Sequence, residues 1–193
     1  EVAFQHDLSA WEDTLGFASG LGFIRNRLQL SLSGPGGIEG ELRADGLIVE
    51  GRFMAVLRVK REASFDDAVF RDQARFERCS FVWPARFVGC RFERKAEFPE
   101  CVFNGPADFD RAVFGGETVF ANCVFLHTAS LYDATFVGSA FFFQCIFDRG
   151  VSFASAAFGG VLGVRESHFE GAAAFPGRAV PTTDRNPQTV QLD

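Results

Sequence analysis

From Phe65 to Phe175 the chain sets a large apolar residue at steps of five and six in strict alternation, at 65, 70, 76, 81, 87, 92, 98, 103 and onward without a break. Nineteen of these 21 positions are Phe; the others are Leu131 and Val164. The residue two places before each is small, Ala at twelve positions and Cys at five, with Thr118, Val151, Leu162 and Ser167 at the rest. A helix repeats every 3.6 residues and a plain strand every two, so neither sustains a mean step of 5.5. A coil that turns a corner after each short extended piece does. On every piece the pleat sends the ring and the small residue inward and their neighbours outward.

The same spacing counts the sides. Five plus six, twice, gives a 22-residue coil of four sides; a three-sided coil would stack a five-step on a six-step. Cys79, Cys101, Cys123 and Cys145 lie 22 apart, with Ser167 next, and so do Pro84 and Pro106, and Gly116, Gly138 and Gly160. The inward ladders then include Phe65, Phe87 and Phe109 on one side and Phe70, Phe92, Phe114, Phe136 and Phe158 on another. Cys90 falls in a different column from the other four cysteines, above Ala68. About five coils, each rising ~4.8 Å, make a column about 24 Å tall.

Segments such as ARFERCSF, ADFDRAVF and VSFASAAF resemble the pentapeptide-repeat family, whose unit sets a small residue two places before a central Leu or Phe. The resemblance covers about residues 57–176. It implies an all-β fold, a right-handed quadrilateral β-helix, preceded here by an N-terminal capping region. The chain departs from the plain family pattern in its sixth residue at every other side and its near-exclusive use of Phe, which implies a wider or more rectangular bore.

The ends break the pattern. Stepping back from Phe65, Val59 with Leu57 fits, but Met54 with Arg52 does not. Residues 1–56 are therefore read as a cap over the open apolar end, with a short helix opening at Asp7 or Ser9, a strand in RLQLSLS and a turn at GPGG, 34–37. Residues 57–176 form the β-helix, and 177–193 a polar tail or linker.

The chemistry of the chain is sparse. It has 25 Phe but one Tyr and two Trp, so its aromatics lack polar handles and suit a dry interior. A net charge of −6 argues against direct nucleic-acid binding, which needs a basic face. Five cysteines, an odd number with no CxxC pair, point to reduced thiols and a cytoplasmic setting rather than a disulfide framework. No apolar run is long enough to span a membrane. The cysteine column is a row rather than a tetrahedron, so it reads as small apolar filling and not a metal site. His127 and His168 face outward about two coils apart, and no Ser/His/Asp arrangement is implied. The chain shows no P-loop and no glycine-rich dinucleotide motif, and neither catalytic residues nor a cofactor are expected.

The outward positions are more telling. Phe141 and Phe143 flank inward Phe142 and must point out. Val119 precedes Phe141 by one coil; on the adjoining side Val102, Val124 and Ile146 stack, with Leu126 beside Val124. This apolar patch is the candidate interface, unless the cap or tail of the chain itself covers it. The reading is a non-enzymatic scaffold for a protein partner, including a homodimer through the patch or the C-terminal coil. The resemblance implies a second reading, a DNA mimic that binds or protects a type II topoisomerase. Residues 63–176 hold 14 acidic and 10 basic residues, a weak charge for that role. The chain begins at Glu1 rather than Met, which leaves room for a third reading, the soluble module of a larger membrane or effector protein.

Overall fold

The computed structural model describes residues 2–4, 28–32, 41–176 and 178–180. These residues contain strands and turns and no helix. They wind into a β-solenoid of about six turns with about 22 residues per coil. Four sides follow one another along the chain. In one coil they are Ala85–Arg86, Arg91–Phe92, Ala96–Pro99 and Val102–Phe103. Each strand pairs in parallel with its counterparts one coil below and above. Ala85 stands against Ala63 and Ala107, Phe92 against Phe70 and Phe114, and Phe103 against Phe81 and Phe125.

The alternating step has its cause in two kinds of corner. The five-residue steps, between sides one and two and between sides three and four, turn through a residue in the left-handed region. Asp67, Gly89, Arg111, Asp133 and Ser155 form one such column, and Arg78, Glu100, Asn122, Gln144 and Glu166 the other. In the first column the turn closes on itself: Ala68 N–H donates to Phe65 O at 3.0 Å, Cys90 to Phe87 at 3.2 Å and Ala112 to Phe109 at 3.1 Å. Positive φ at the third residue of a hydrogen-bonded four-residue turn is the geometry of a type II turn. The six-residue steps use the extra residue to round the corner; Gly150 is the one positive-φ position there among the described residues.

The rings stack as the spacing requires. Successive rings on one side lie nearly parallel, with centroids 4.5 Å apart for Phe98–Phe120 and 5.2 Å for Phe81–Phe103. Across the bore, rings of sides one and three meet edge to face, Phe76 with Phe87 at 5.3 Å and 90°, Phe98 with Phe109 at 5.6 Å and 85°. The rings of sides one and three thus meet directly across the bore. Thr118 occupies a small-residue slot that Ala74, Ala96 and Ala140 fill in other coils, and its buried hydroxyl has no hydrogen-bond partner among the described residues.

Among the described residues the four-sided pairing is already present at Leu42, upstream of the 56/57 boundary read from the sequence. Leu42–Arg43 pairs with Ala63–Ser64, and Ile48–Val49 with Val69–Phe70. Two departures hide this coil. It is one residue short: Phe53–Val59 runs straight through the place of the third corner, pairing 21 residues ahead at Phe53↔Ala74 but 22 ahead at Val59↔Phe81. It also exchanges volumes, since Phe53 stands on the small residue Ala74 while Ala55 stands on Phe76. Phe53 still fills the core, 4.8 Å from Phe70 and 5.0 Å from Phe76. Met54 therefore never occupied a ring slot.

Before this coil, Leu28–Leu32 pairs on Phe53–Val59, and Val2–Phe4 on Leu28–Leu32, extending side three. The helix expected at Asp7 or Ser9 and the turn at 34–37 lie outside the described residues. At the far end Arg178–Val180 folds back antiparallel on Ala173–Phe175, so a strand stands where the sequence reads as tail.

Phe98 is enclosed on every side, stacked on Phe76 and Phe120 and edge-on to Phe87, Phe92 and Phe109. Phe98→Ala is expected to cost about 3–5 kcal/mol in a denaturant titration. Phe169→Ala, at the last, partly open coil, is expected to cost clearly less. Equal losses would contradict a core built by stacking.

Candidate interaction surface

The outward residues of side three divide it in two. Its first coils carry interlocked charges. Arg75 meets Glu77 at 3.0 Å and Glu97 at 3.5 Å; Lys95 meets Glu97 at 3.2 Å and Glu117 at 3.1 Å. The pairs hold the Glu77 carboxyl below the usual range through hydrogen bonds from Arg78 and Arg75. They neutralise one another, and as surface pairs they contribute little to stability.

The later coils of the same side are apolar. Val119 stands against Phe141 and Ala121 against Phe143 in register. Phe141 and Phe143 alternate with buried Ala140 and Phe142 and are half-buried. Their neighbours one coil on explain why they are not fully exposed. The Phe141 ring lies over Gly163, where a Cβ would meet it at 2.8 Å, and the Arg165 guanidinium sits 5.9 Å from the Phe143 ring centre. On side four Val102, Val124 and Ile146 stack in register, and Ile146 and Leu126 are each 42% exposed.

The structure adds two residues that the sequence reading left out. Val137 and Val161 are 59% and 52% exposed at the corner leading into side three. They follow Phe136 and Gly160 on six-residue steps, where the pleat argument gives no direction. The ring-flanking signal that marked Phe141 and Phe143 was absent there. The apolar surface thus runs from that corner across sides three and four to Leu126.

The thiols sit inside, and each of the five reaches a carbonyl of the coil below: Cys79 to Ala55 at 3.5 Å, Cys90 to Phe65 at 2.8 Å, Cys101 to Phe76 at 3.1 Å, Cys123 to Phe98 at 2.8 Å and Cys145 to Phe120 at 3.3 Å. Burial pushes the Cys79, Cys90 and Cys123 thiols above their ordinary range. A thiol held protonated inside a core is a poor nucleophile. All five cysteines are buried, so all are expected to resist a thiol reagent in the folded protein and to react together on unfolding. Stoichiometric labelling without denaturant would show this packing to be wrong.

A third cluster lies at the corner between sides one and two. Asp66 accepts from Arg86 at 2.6 Å and from Val88 N–H at 3.0 Å, and Asp110 accepts from the Ser130 hydroxyl and from Tyr132 N–H. These carboxylates tie one coil to the next. Beside them burial holds the Asp108 carboxyl above the ordinary aspartate range, helped by Asp110 and Asp66 and opposed by the Asp110 N–H and Arg86. Ionised Asp108 therefore costs folding stability above its raised pKa. The cost vanishes once pH falls below the ordinary value of 3.8, where folded and unfolded chains both carry the proton. Asp108→Asn, which keeps the acceptor for Asp110 N–H, is expected to raise Tm at neutral pH and to lose that gain in acid. A pH series of thermal melts checks both.

Residues 98–146 and 120–168 match the family model described as pentapeptide repeats (9 copies). This span, in the middle of the Phe-stacked coils, is pentapeptide-repeat sequence, and the chain builds the β-solenoid scaffold of that family. The family is generally a non-enzymatic structural fold. No curated protein and no solved structure matches the chain. No helix among the described residues is long and apolar enough to cross a membrane.

Proposed function

We propose that this protein is a non-enzymatic interaction scaffold, a stiff column that holds an apolar surface toward a protein partner. The observation that carries the reading is the contrast within side three. Its early coils present charges that satisfy one another, while its later coils present Phe141 and Phe143 beside exposed Val137, Val161, Ile146 and Leu126. Val82, Trp83 and Tyr132 are exposed elsewhere on the column, but apolar area gathered on one surface is the pattern of a contact site. Rings anchored on a parallel ladder lose little freedom on docking, which favours affinity.

The topoisomerase-binding DNA mimic is the weaker reading. It needs a continuous acidic face, whereas Arg75, Arg86 and Lys95 neutralise the carboxylates of the early coils. A module of a larger membrane or effector protein would use the same surface to reach its neighbour.

Phe141→Ser together with Phe143→Ser is expected to leave Tm nearly unchanged, since neither ring is in the stacked core. The pair should abolish capture of whatever the wild-type bait retains, including further copies of the chain. Identical capture by both baits would overturn the reading.

A further inference from the structure

We infer that the apolar half of side three pairs with the same half of a second copy, the two columns running antiparallel about a two-fold axis. The inference rests on the contact-surface reading above and names its partner.

Side three presents two outward columns. One runs Arg75, Glu97, Val119, Phe141, Gly163, and the other Glu77, Pro99, Ala121, Phe143, with Arg165 next beyond Phe143. A two-fold axis parallel to the strands, midway between Thr118–Ala121 and Ala140–Phe143, keeps each column facing itself and reverses the order of coils. Phe141 then faces Val119 of the second copy, and Phe143 faces its Ala121. Each ring meets a smaller side chain, as interdigitating sheet faces about 10 Å apart require. One coil further out, Arg165 of one copy arrives opposite Pro99 of the other, next to Glu100 in the chain. The Arg165 side chain is 66% exposed, and its one ion pair among the described residues is with neighbouring Glu166, itself 41% exposed. Glu100 is exposed. Glu97, by contrast, is already held by Lys95 and Arg75.

Large against small at the centre and cation against anion at the rim, each occurring twice, is what a self-complementary two-fold interface needs. The parallel alternative, with its axis along the solenoid, sets Phe141 against Phe143 of the second copy and Arg165 against Gly163, with rings on rings and an unpaired cation. Side three can also approach a flat partner, because its later outward residues are small apart from the two rings and Arg165.

Sedimentation equilibrium on the full chain tests this, with four proteins: wild type, Phe141→Ser/Phe143→Ser, Arg165→Glu, and Arg165→Glu/Glu100→Arg. The expected result is a wild-type dimer and a double-serine monomer whose Tm matches that of wild type diluted to monomer. Arg165→Glu should weaken the dimer by about tenfold or more, as charge reversal beside a carboxylate does, and adding Glu100→Arg should restore it. A wild-type chain monomeric at its highest soluble concentration would overturn self-pairing, as would a dimer indifferent to Arg165→Glu. If that monomeric chain still loses capture of another protein through the double-serine change, the contact surface stands and only its partner is wrong. A dimer that survives the double-serine change places the self-contact elsewhere and overturns the inference.

Discussion

Phenylalanine rings lying flat on one another at the spacing of a parallel backbone ladder are the interaction on which this molecule depends. Hydrogen-bonded strands of successive coils stand ~4.8 Å apart, and an aromatic ring stacks on its neighbour at nearly the same distance, as the 4.7 Å of Phe87–Phe109 and Phe103–Phe125 shows. Backbone and side chain therefore ask for one repeat, and neither strains the other. The small residue two places before each ring follows from this. It leaves width for rings from sides one and three to meet edge to face, as Phe76 and Phe87 do. Cysteine serves in that slot because it is small and because its thiol can donate to a carbonyl of the coil beneath.

A core made this way leaves the outer surface free to vary. Each coil needs only its inward residues, so the outward ones can be charged in the early coils of side three and apolar in the later ones without cost to the stack. The carboxylate brackets at Asp66 and Asp110 are the exception, since they satisfy backbone N–H groups of the next coil. Function, on this view, belongs to the outward residues, and the stack supplies the stiffness that holds them in place.

The coils were legible in the sequence because their signal is local and repeated: a ring, a small residue two places before it, and a step that closes after four sides. The stacking of Cys79, Cys101, Cys123 and Cys145, and the place of Cys90 above Ala68, follow from counting and agree with the strand register. The first coil was not legible. A single missing residue shifts every slot before Val59, and the exchange of Phe53 with Ala55 inverts the motif while conserving the volume that the core needs. Packing reads total volume at a level of the stack; a pattern reads order along the chain. On the surface, Phe141 and Phe143 were legible because they flank an inward ring on one extended strand. Val137 and Val161 were not, because corners break the alternation that gives a side chain its direction.

By itself the sequence determined that the chain winds in four-sided coils, which residues fill the interior, and that two rings face out, because all three depend on spacing along the chain. Only the tertiary structure decided that the winding already runs through Leu42–Val59, that five-residue corners turn through left-handed residues, and that Arg178–Val180 returns to cover an edge. It also decided how Gly163 and Arg165 sit beneath the outward rings. Those outcomes turn on what lies one coil away in space, 21 or 22 residues distant in the chain, where a register shift of one residue changes every contact.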